Sequence, residues 1–505
     1  NAAPSAPAGG SAEAYKAQGD KYFAAKDYAK AIEAFKKAIS LKPSLREAHL
    51  GLSYGYYNLN RFEEALAAFE KAARLKPDDQ ETITPGEAIK GMILNGLGFA
   101  NRPLSLTPQF FVGKPLDLLF RPGIEADMFN RFKLGRTLDE VNTYGCDLLF
   151  SEIALAVCQQ EAIDQRFNHL DTTSFSLTGD YVAERDQQAI AITHGYSKDH
   201  RPALKQVVLE LMVSQDGGVP LVSQTWGGNA SDNQIFQDRA KALLSTFEHS
   251  PTPRYLIADS KLYSEANATA LKPLGFITRI PDTLKLVSQV IRQALRQDTW
   301  QRVDDTTRYH RLELCHYGMA QRWLVVCSEA AMQRAEQSVS KAHQREFEAI
   351  EKQLFHLQAQ RFESQEQAQA ALATRSRSWR YHQVATLELI APKHYAGQGR
   401  PSAKTPIKAI LWQIRAQACP DAEAIWRTKQ LKGCFVLGTN IEADDLSDEE
   451  VLAAYKAQSQ VESGFRFLKD PLFFVSSLFV KKSTRIQGLL MVMTLALLVY
   501  SVAQR

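Results

Sequence analysis

The stretch 167-FNHLDTTSFSL-177 is where this chain changes character. Residues 84–165 read as mainly helical, with Pro85 suited to a first helical turn and further helical runs at Pro115–Leu119, Ile124–Lys133 and Leu138–Gln159. From Phe167 apolar and polar residues alternate with the period of a strand. Two more strand-like stretches come next, 191-AITHGYS-197 and 204-LKQVVLELMVS-214. The turn signal Gln215-Asp216-Gly217-Gly218 then leads into 219-VPLVSQTW-226, which predicts a hairpin. Ser231 and Asp232 are cap residues for a helix reaching about Phe247. A short buried strand, 254-RYLIAD-259, a helix over Glu265–Lys272 and a strand, 275-GFITRI-280, complete the set.

Three strands, helix, strand, helix, strand is the order of a ribonuclease-H-like core, in which the first and fourth strands lie side by side. Asp171 sits on the first strand and Asp259 ends the fourth. A third acid is expected from a late helix, and 447-SDEEVLAAYKAQSQVESGFRFLKDP-471 supplies one. Ser447 and Glu450 have capping-box spacing, three acids favour the helix N-terminus, and Pro471 marks a stop. Tyr455, Glu462 and Lys469 recur every seven residues, with Gln458 three after Tyr455, so one helix would carry all four on one stripe. An acid at a strand end is often only a turn residue. Three acids in this order suit two divalent cations about 3.5–4 Å apart, which stabilise the attacking and leaving oxygens of an in-line displacement at phosphorus.

The segments HLDTTSFSL, YSKDHRPALKQVVLELMVSQDGGVPL, GNASDNQIF, YLIADSKLY and YKAQSQVESGFRFLKDP resemble insertion-sequence transposases of the DDE type. More narrowly, they resemble the superfamily named after insertion sequence four, with its helical Y-x2-R-x3-E-x6-K signature. The resemblance runs from about Thr82 to the C-terminus. It implies an α/β ribonuclease-H-like catalytic core interrupted by a mixed α+β insertion domain. It also implies a DNA transposase catalysing metal-dependent strand cleavage and transfer at element ends. Asp171, Asp259 and Glu462 would be the metal-binding triad for two Mg²⁺ (or Mn²⁺) ions. Tyr455 and Lys469 would hold phosphates of the element end, with Gln458 and Arg466 on the same segment. Gln458 stands where the signature has Arg and lacks its charged bidentate contact. The partner would be double-stranded DNA, bound by a homodimer on paired ends. Two other classes fit less of the pattern: a nuclease that hydrolyses without joining, and an inactive transposase remnant fused to a docking arm.

That arm is the N-terminal region. Gly19, Tyr22, Ala31, Phe35, Ala38 and Pro43 are answered 34 residues later by Ser53, Tyr56, Ala65, Phe69, Ala72 and Pro77. The pattern resembles all-α tetratricopeptide repeats, whose helical hairpins dock peptides. The expected organisation is a leader (1–10), two repeats (11–80), a helical region (81–165), the catalytic core (166–285 and 440–505) and the insertion (286–439). In the helical region Arg102, Lys114, Arg121, Arg131, Lys133 and Arg136 are candidate DNA contacts. The insertion should hold a hairpin (Tyr309–Tyr317 with Arg322–Ser328), a polar helical run over Ala330–Thr374 and the strands KAILWQIRA and GCFVLGTN. Lys393, Arg400, Lys404 and Lys408 surround Gly397, Gly399 and Pro401 in a loop able to track a DNA backbone. Trp300 and Trp323 are core or surface-packing residues, with a wedge against an unstacked base the sharper reading.

Composition narrows the class. A net charge of +4 over 505 residues makes any nucleic-acid surface local rather than global. Six cysteines, with no C-x-x-C pair, argue against a zinc ribbon or a disulfide framework and for a reducing cytoplasm. The charge-free segment 486-IQGLLMVMTLALLVYSV-502 is of borderline length for a membrane span and reads as a buried core helix.

Overall fold

The computed structural model describes residues 11–58, 82–98, 104–179, 181, 190–248, 254–395, 407–470 and 482–505. The leader, the repeat residues Ala65, Phe69, Ala72 and Pro77, Arg102, the loop residues Gly397, Gly399, Arg400, Pro401 and Lys404, and Pro471 lie outside these. The chain forms two compact units, Asn1–Ala258 with Lys456–Arg505, and Asp259–Tyr455.

In the first unit three helices, Ala12–Ala24, Tyr28–Leu41 and Arg46–Asn58, pack through small residues. A Cβ on Gly19 or Gly51 would meet the Phe35 ring at about 2.5 Å, so only glycine admits that buried aromatic between the helices. The helix Pro85–Leu97 opens with a complete Thr84/Glu87 capping box and Pro at its start. The expected run Leu138–Gln159 is divided by Gly145 at φ 107°, giving helices Arg131–Tyr144 and Cys146–Gln160.

The sheet of this unit has the order β3-β2-β1-β4: β1 Phe167–Leu177, β2 Lys205–Ser214, β3 Pro220–Gly227 and β4 Tyr255–Ala258. Strand β1 is antiparallel to β2 and parallel to β4, whose register ends at Leu170↔Ala258. This is the ribonuclease-H-like arrangement. The expected strand 191–197 does not form: Thr193 makes only an isolated bridge to Gln206. Gly195 there lies hard against the Gly228 carbonyl, too close for any side chain.

The apolar C-terminal helix Ser483–Gln504 lies in the core of this unit against β3 and the helix Arg131–Tyr144. Ser223 donates to Thr494 inside that contact, and Arg485 grips Asp139 through two bonds. Glu210 on β2 is buried and takes its bonds from Arg239 (2.6 and 3.2 Å) and the Trp226 indole (2.8 Å). His169 on β1 is also buried, its Nε2 beside the Gln215 amide oxygen and its Nδ1 without a partner.

In the second unit the strands run β5-β13-β8-β7-β6, with β5 Gly275–Arg279, β6 Gln301–Arg302, β7 Thr307–His316, β8 Met319–Ser328 and β13 Cys434–Thr439. The predicted hairpin is present. Its turn residues Tyr317 and Gly318 both have positive φ (50° and 70°), the twist that matches paired strands. Two separate ribbons complete the strands, β9 His382–Ile390 with β12 Gln413–Pro420 and β10 Lys393–Tyr395 with β11 Ile407–Ile410.

The polar run Ala330–Thr374 is two helices, Glu329–Gln358 and Gln365–Ser376. Phe362 exchanges backbone bonds with Trp412 between them and Ser364 caps the second, which ends the continuous ladder. Trp323 is fully buried, so it belongs to the core and not to a surface wedge. Against the expectation drawn from the cysteines, one disulfide joins directly paired residues, Cys327 on β8 and Cys434 on β13, a link invisible in cysteine spacing because 107 residues separate them.

Candidate active site

Asp171 is the residue after Leu170, and Asp259 the residue after Ala258. The two acids therefore each succeed a member of the last β1–β4 pair. The Asp171 carboxylate accepts from the Thr172 backbone N–H (2.7 Å) and is about one-fifth exposed. Asp259 uses its side chain to accept from the Lys261 N–H (2.9 Å) and its carbonyl to accept from the Thr278 hydroxyl (2.8 Å). It is half-buried at the start of the second unit.

Around Asp171 the first unit assembles groups that sequence pattern does not single out as site residues. The Lys198 ammonium lies 3.9 Å from Asp171 and 3.3 Å from Asp232. It also donates to the Thr172 carbonyl (2.7 Å) and hydroxyl (2.6 Å). The Thr172 hydroxyl in turn donates to Asp232 (2.6 Å). Asp232, expected only as a helix cap, thus turns its carboxylate toward β1, while Ser231 caps the helix Asp232–Glu248. The one sequence signal for Lys198 is its place in the motif YSKDHRP.

The late helical segment departs from expectation in one respect. Its capping box is present, with Ser447 N–H to Glu450 at 2.8 Å and Glu450 N–H to the Ser447 hydroxyl at 3.2 Å. It is nevertheless two helices, Asp448–Lys456 and Ser459–Leu468. Between them Gln460 and Val461 bond to carbonyls three residues back, at Ala457 and Gln458. The expected single helix is therefore two, and helical spacing alone does not carry Tyr455, Gln458, Glu462 and Lys469 along one stripe.

Tyr455 is half-buried near the Phe435 ring in the second unit, and Gln458 is buried. Glu462 and Arg466 are exposed on the second helix, whose opposite face buries Val461, Gly464, Phe465 and Leu468. That helix packs on β1 and β2, within the same unit as Asp171. Gly464 keeps it close: a Cβ there would stand 3.2 Å from Leu497 and 3.4 Å from Leu211. Lys469 ends the helix and pairs with Asp199 (2.6 Å), its ammonium 5.5 Å from the Phe175 ring centre. Among the described residues no three His, Cys, Asp or Glu side chains form a group able to hold a metal ion.

The family model described as transposase DDE domain matches residues 165–499, two-thirds of the chain, and spans all three acids. The chain belongs to the DDE transposases. A DNA transposase is a polynucleotidyl transferase, and its partner is DNA. The transposase also matches a domain of unknown function, DUF4277, over residues 63–155, and a tetratricopeptide repeat model over residues 22–82. Among solved structures it is similar to a piggyBac transposase in a synaptic complex with hairpin DNA. The identity is 9% and the TM-score 0.35, over 85% of this chain and 70% of that one. A likeness that weak carries no part of the assignment. No curated protein matches the sequence.

Most cations of the helical region are engaged within the fold. Arg121 pairs with Glu87, Lys114 lies over the Phe110 ring, Arg131 over Phe132, and Lys133 is buried; Arg136 is exposed. Trp300 is half-buried under the Arg308 guanidinium, 4.7 Å from its ring centre.

Proposed function

We propose that Asp171, Asp259 and Glu462 form the catalytic triad of this transposase and are drawn together by two Mg²⁺ (or Mn²⁺) ions, since without the ions the three carboxylates do not form a metal-holding group. The observation that carries the reading is the β1–β4 register, since Asp171 and Asp259 each succeed its last pair. The helix bearing Glu462, laid on β1 and β2, supports the third assignment. Three carboxylates offer the hard oxygen donors that Mg²⁺ prefers, with its remaining positions left for water and phosphate. When bound, the ions would supply charge stabilisation at the attacking and leaving oxygens.

The chain's own groups have distinct tasks in this scheme. Thr172 N–H fixes the Asp171 carboxylate, and Lys198 adds positive charge beside it. Lys469 exchanges Asp199 for a DNA phosphate, a charge-assisted contact of the same kind. Arg466, exposed on the same helix, adds a phosphate contact, while Gln458 and Tyr455 support the segment between the helices. By its Y-x2-x-x3-E-x6-K spacing the chain falls in the insertion-sequence-four superfamily, acting in the cytoplasm as a dimer on two paired ends. The N-terminal hairpins dock a peptide partner.

Cleavage and joining of duplex carrying the element ends, measured with Asp259→Ala, tests the scheme. Both steps should vanish while DNA binding persists. Cleavage at the wild-type rate would remove Asp259 from the site, and cleavage without joining by the wild type would make the protein a nuclease.

A further inference from the structure

We infer that the outer face of the helix Lys285–Gln297 is a docking track for the phosphate backbone of duplex DNA, separate from the proposed triad. The inference rests on the reading of the chain as a DNA transposase and names a surface that this reading does not supply. The helix, KLVSQVIRQALRQ, contains no acid. Val287, Val290, Ile291 and Ala294 are buried and fasten it against β8, β13 and the helix Ala422–Lys432 of the second unit. The exposed side carries Lys285, Gln289, Arg292, Gln293, Arg296 and Gln297. Gln289, Arg292, Gln293, Arg296 and Gln297 line an open recess along that side.

None of the three cations is in an ion pair among the described residues. The flanking Asp282 is spent on Arg279. Asp298, in the left-handed conformation just after the last turn, is the acid that follows the stripe along the chain. A solvated helix face looks different, as the helix Glu329–Gln358 of the same unit shows. There Glu329, Glu336, Glu346 and Glu348 alternate with Arg334 and Lys341, and Glu336 pairs with Lys429.

Spacing favours a long polyanion over a single small one. From Lys285 to Arg296 the helix rises about 16 Å, while B-DNA carries one charge per about 1.7 Å of axis. Rows of guanidinium and carboxamide groups at i, i+3 and i+4 present several donors to successive phosphates without reading base edges. An acidic protein surface would meet the same charge, and the test separates the two.

The experiment uses the full-length protein and a random-sequence 40-base-pair duplex, with affinity followed from about 50 to 200 mM salt by fluorescence anisotropy. Replacing both arginines, Arg292→Gln with Arg296→Gln, should lower the slope of log K against log salt by about 1.8, since each neutralised phosphate contributes about 0.9. The gain variant Gln293→Lys should steepen it by about 0.9. All three positions are exposed, so the fold is not at stake. Wild-type binding with slopes unchanged in both variants would overturn the inference and leave the transposase reading standing, the face then serving a protein partner or solvent. Absence of duplex binding by the wild type would overturn both.

Discussion

Glu210 in the first unit has both carboxylate oxygens taken, by Arg239 and Trp226, whereas Arg322 in the second keeps a buried Nε–H with no partner. Arg322 donates instead to Asp448 (2.5 Å) and to the carbonyls of Leu446 (2.6 Å) and Ile441 (3.3 Å). The first pair is a saturated knot inside the sheet and its flanking helix. The second is an incompletely satisfied clamp on the backbone that leads into the helix Asp448–Lys456. Removing water from a charge is offset only when its hydrogen-bonding capacity is met. The clamp is therefore better explained by what it positions than by what it stabilises.

Glu210→Ala should destabilise the first unit most, by about 3–5 kcal/mol in urea denaturation, because it strips the mostly buried Arg239 of its carboxylate and leaves it only the Gln224 amide. A loss below about 1 kcal/mol would erase the contrast. Arg322→Met with Asp448→Leu should cost less than Glu210→Ala in the same assay, since it removes both charges and the orphaned donor and leaves only the Leu446 and Ile441 carbonyls without their donor. Any large loss there would make the clamp a stabiliser after all.

His169 gives the first unit a pH dependence. Burial pushes its pKa down from 6.5 to about 4. The unfolded chain binds the proton more readily, so stability is fully present above pH 6.5 and declines as pH falls toward 4. The loss should total about 3 kcal/mol, and His169→Gln should flatten the profile. Opening the Cys327–Cys434 bridge with Cys327→Ser should lower the second unit alone by about 2–4 kcal/mol. The smallest effect is expected from Ser447→Ala, which removes one cap of the helix beside the clamp, at about 1 kcal/mol. Thermal denaturation resolves it if the two units melt separately.

The parts of this molecule that can be read from sequence are those governed by neighbours along the chain. Alternation locates β1, the glycines of 215–218 locate the hairpin, and Ser447 with Glu450 locates a helix start. The features that escape depend on residues far apart. No local rule sets the Cys327–Cys434 bond, the Lys198–Asp232 contact or the chain's approach at Gly195 to Gly228. The interruption at Ala457–Gln458 is a different failure. Neither glycine nor proline marks it, and heptad spacing assumes a uniform helix. Asp171 and Asp259 are legible because strand order is a property of the whole pattern. Lys198 and Asp199 sit in a loop that periodicity cannot orient.

The parallel pairing that ends at Leu170↔Ala258 has a consequence for how this segment tolerates change. Successive side chains on a strand point to opposite faces. Within Phe167–Leu170 one apolar letter can replace another at modest cost, but a single deletion would turn Asp171 away from the side it now occupies. The segment is free to drift in spelling and bound to keep its length.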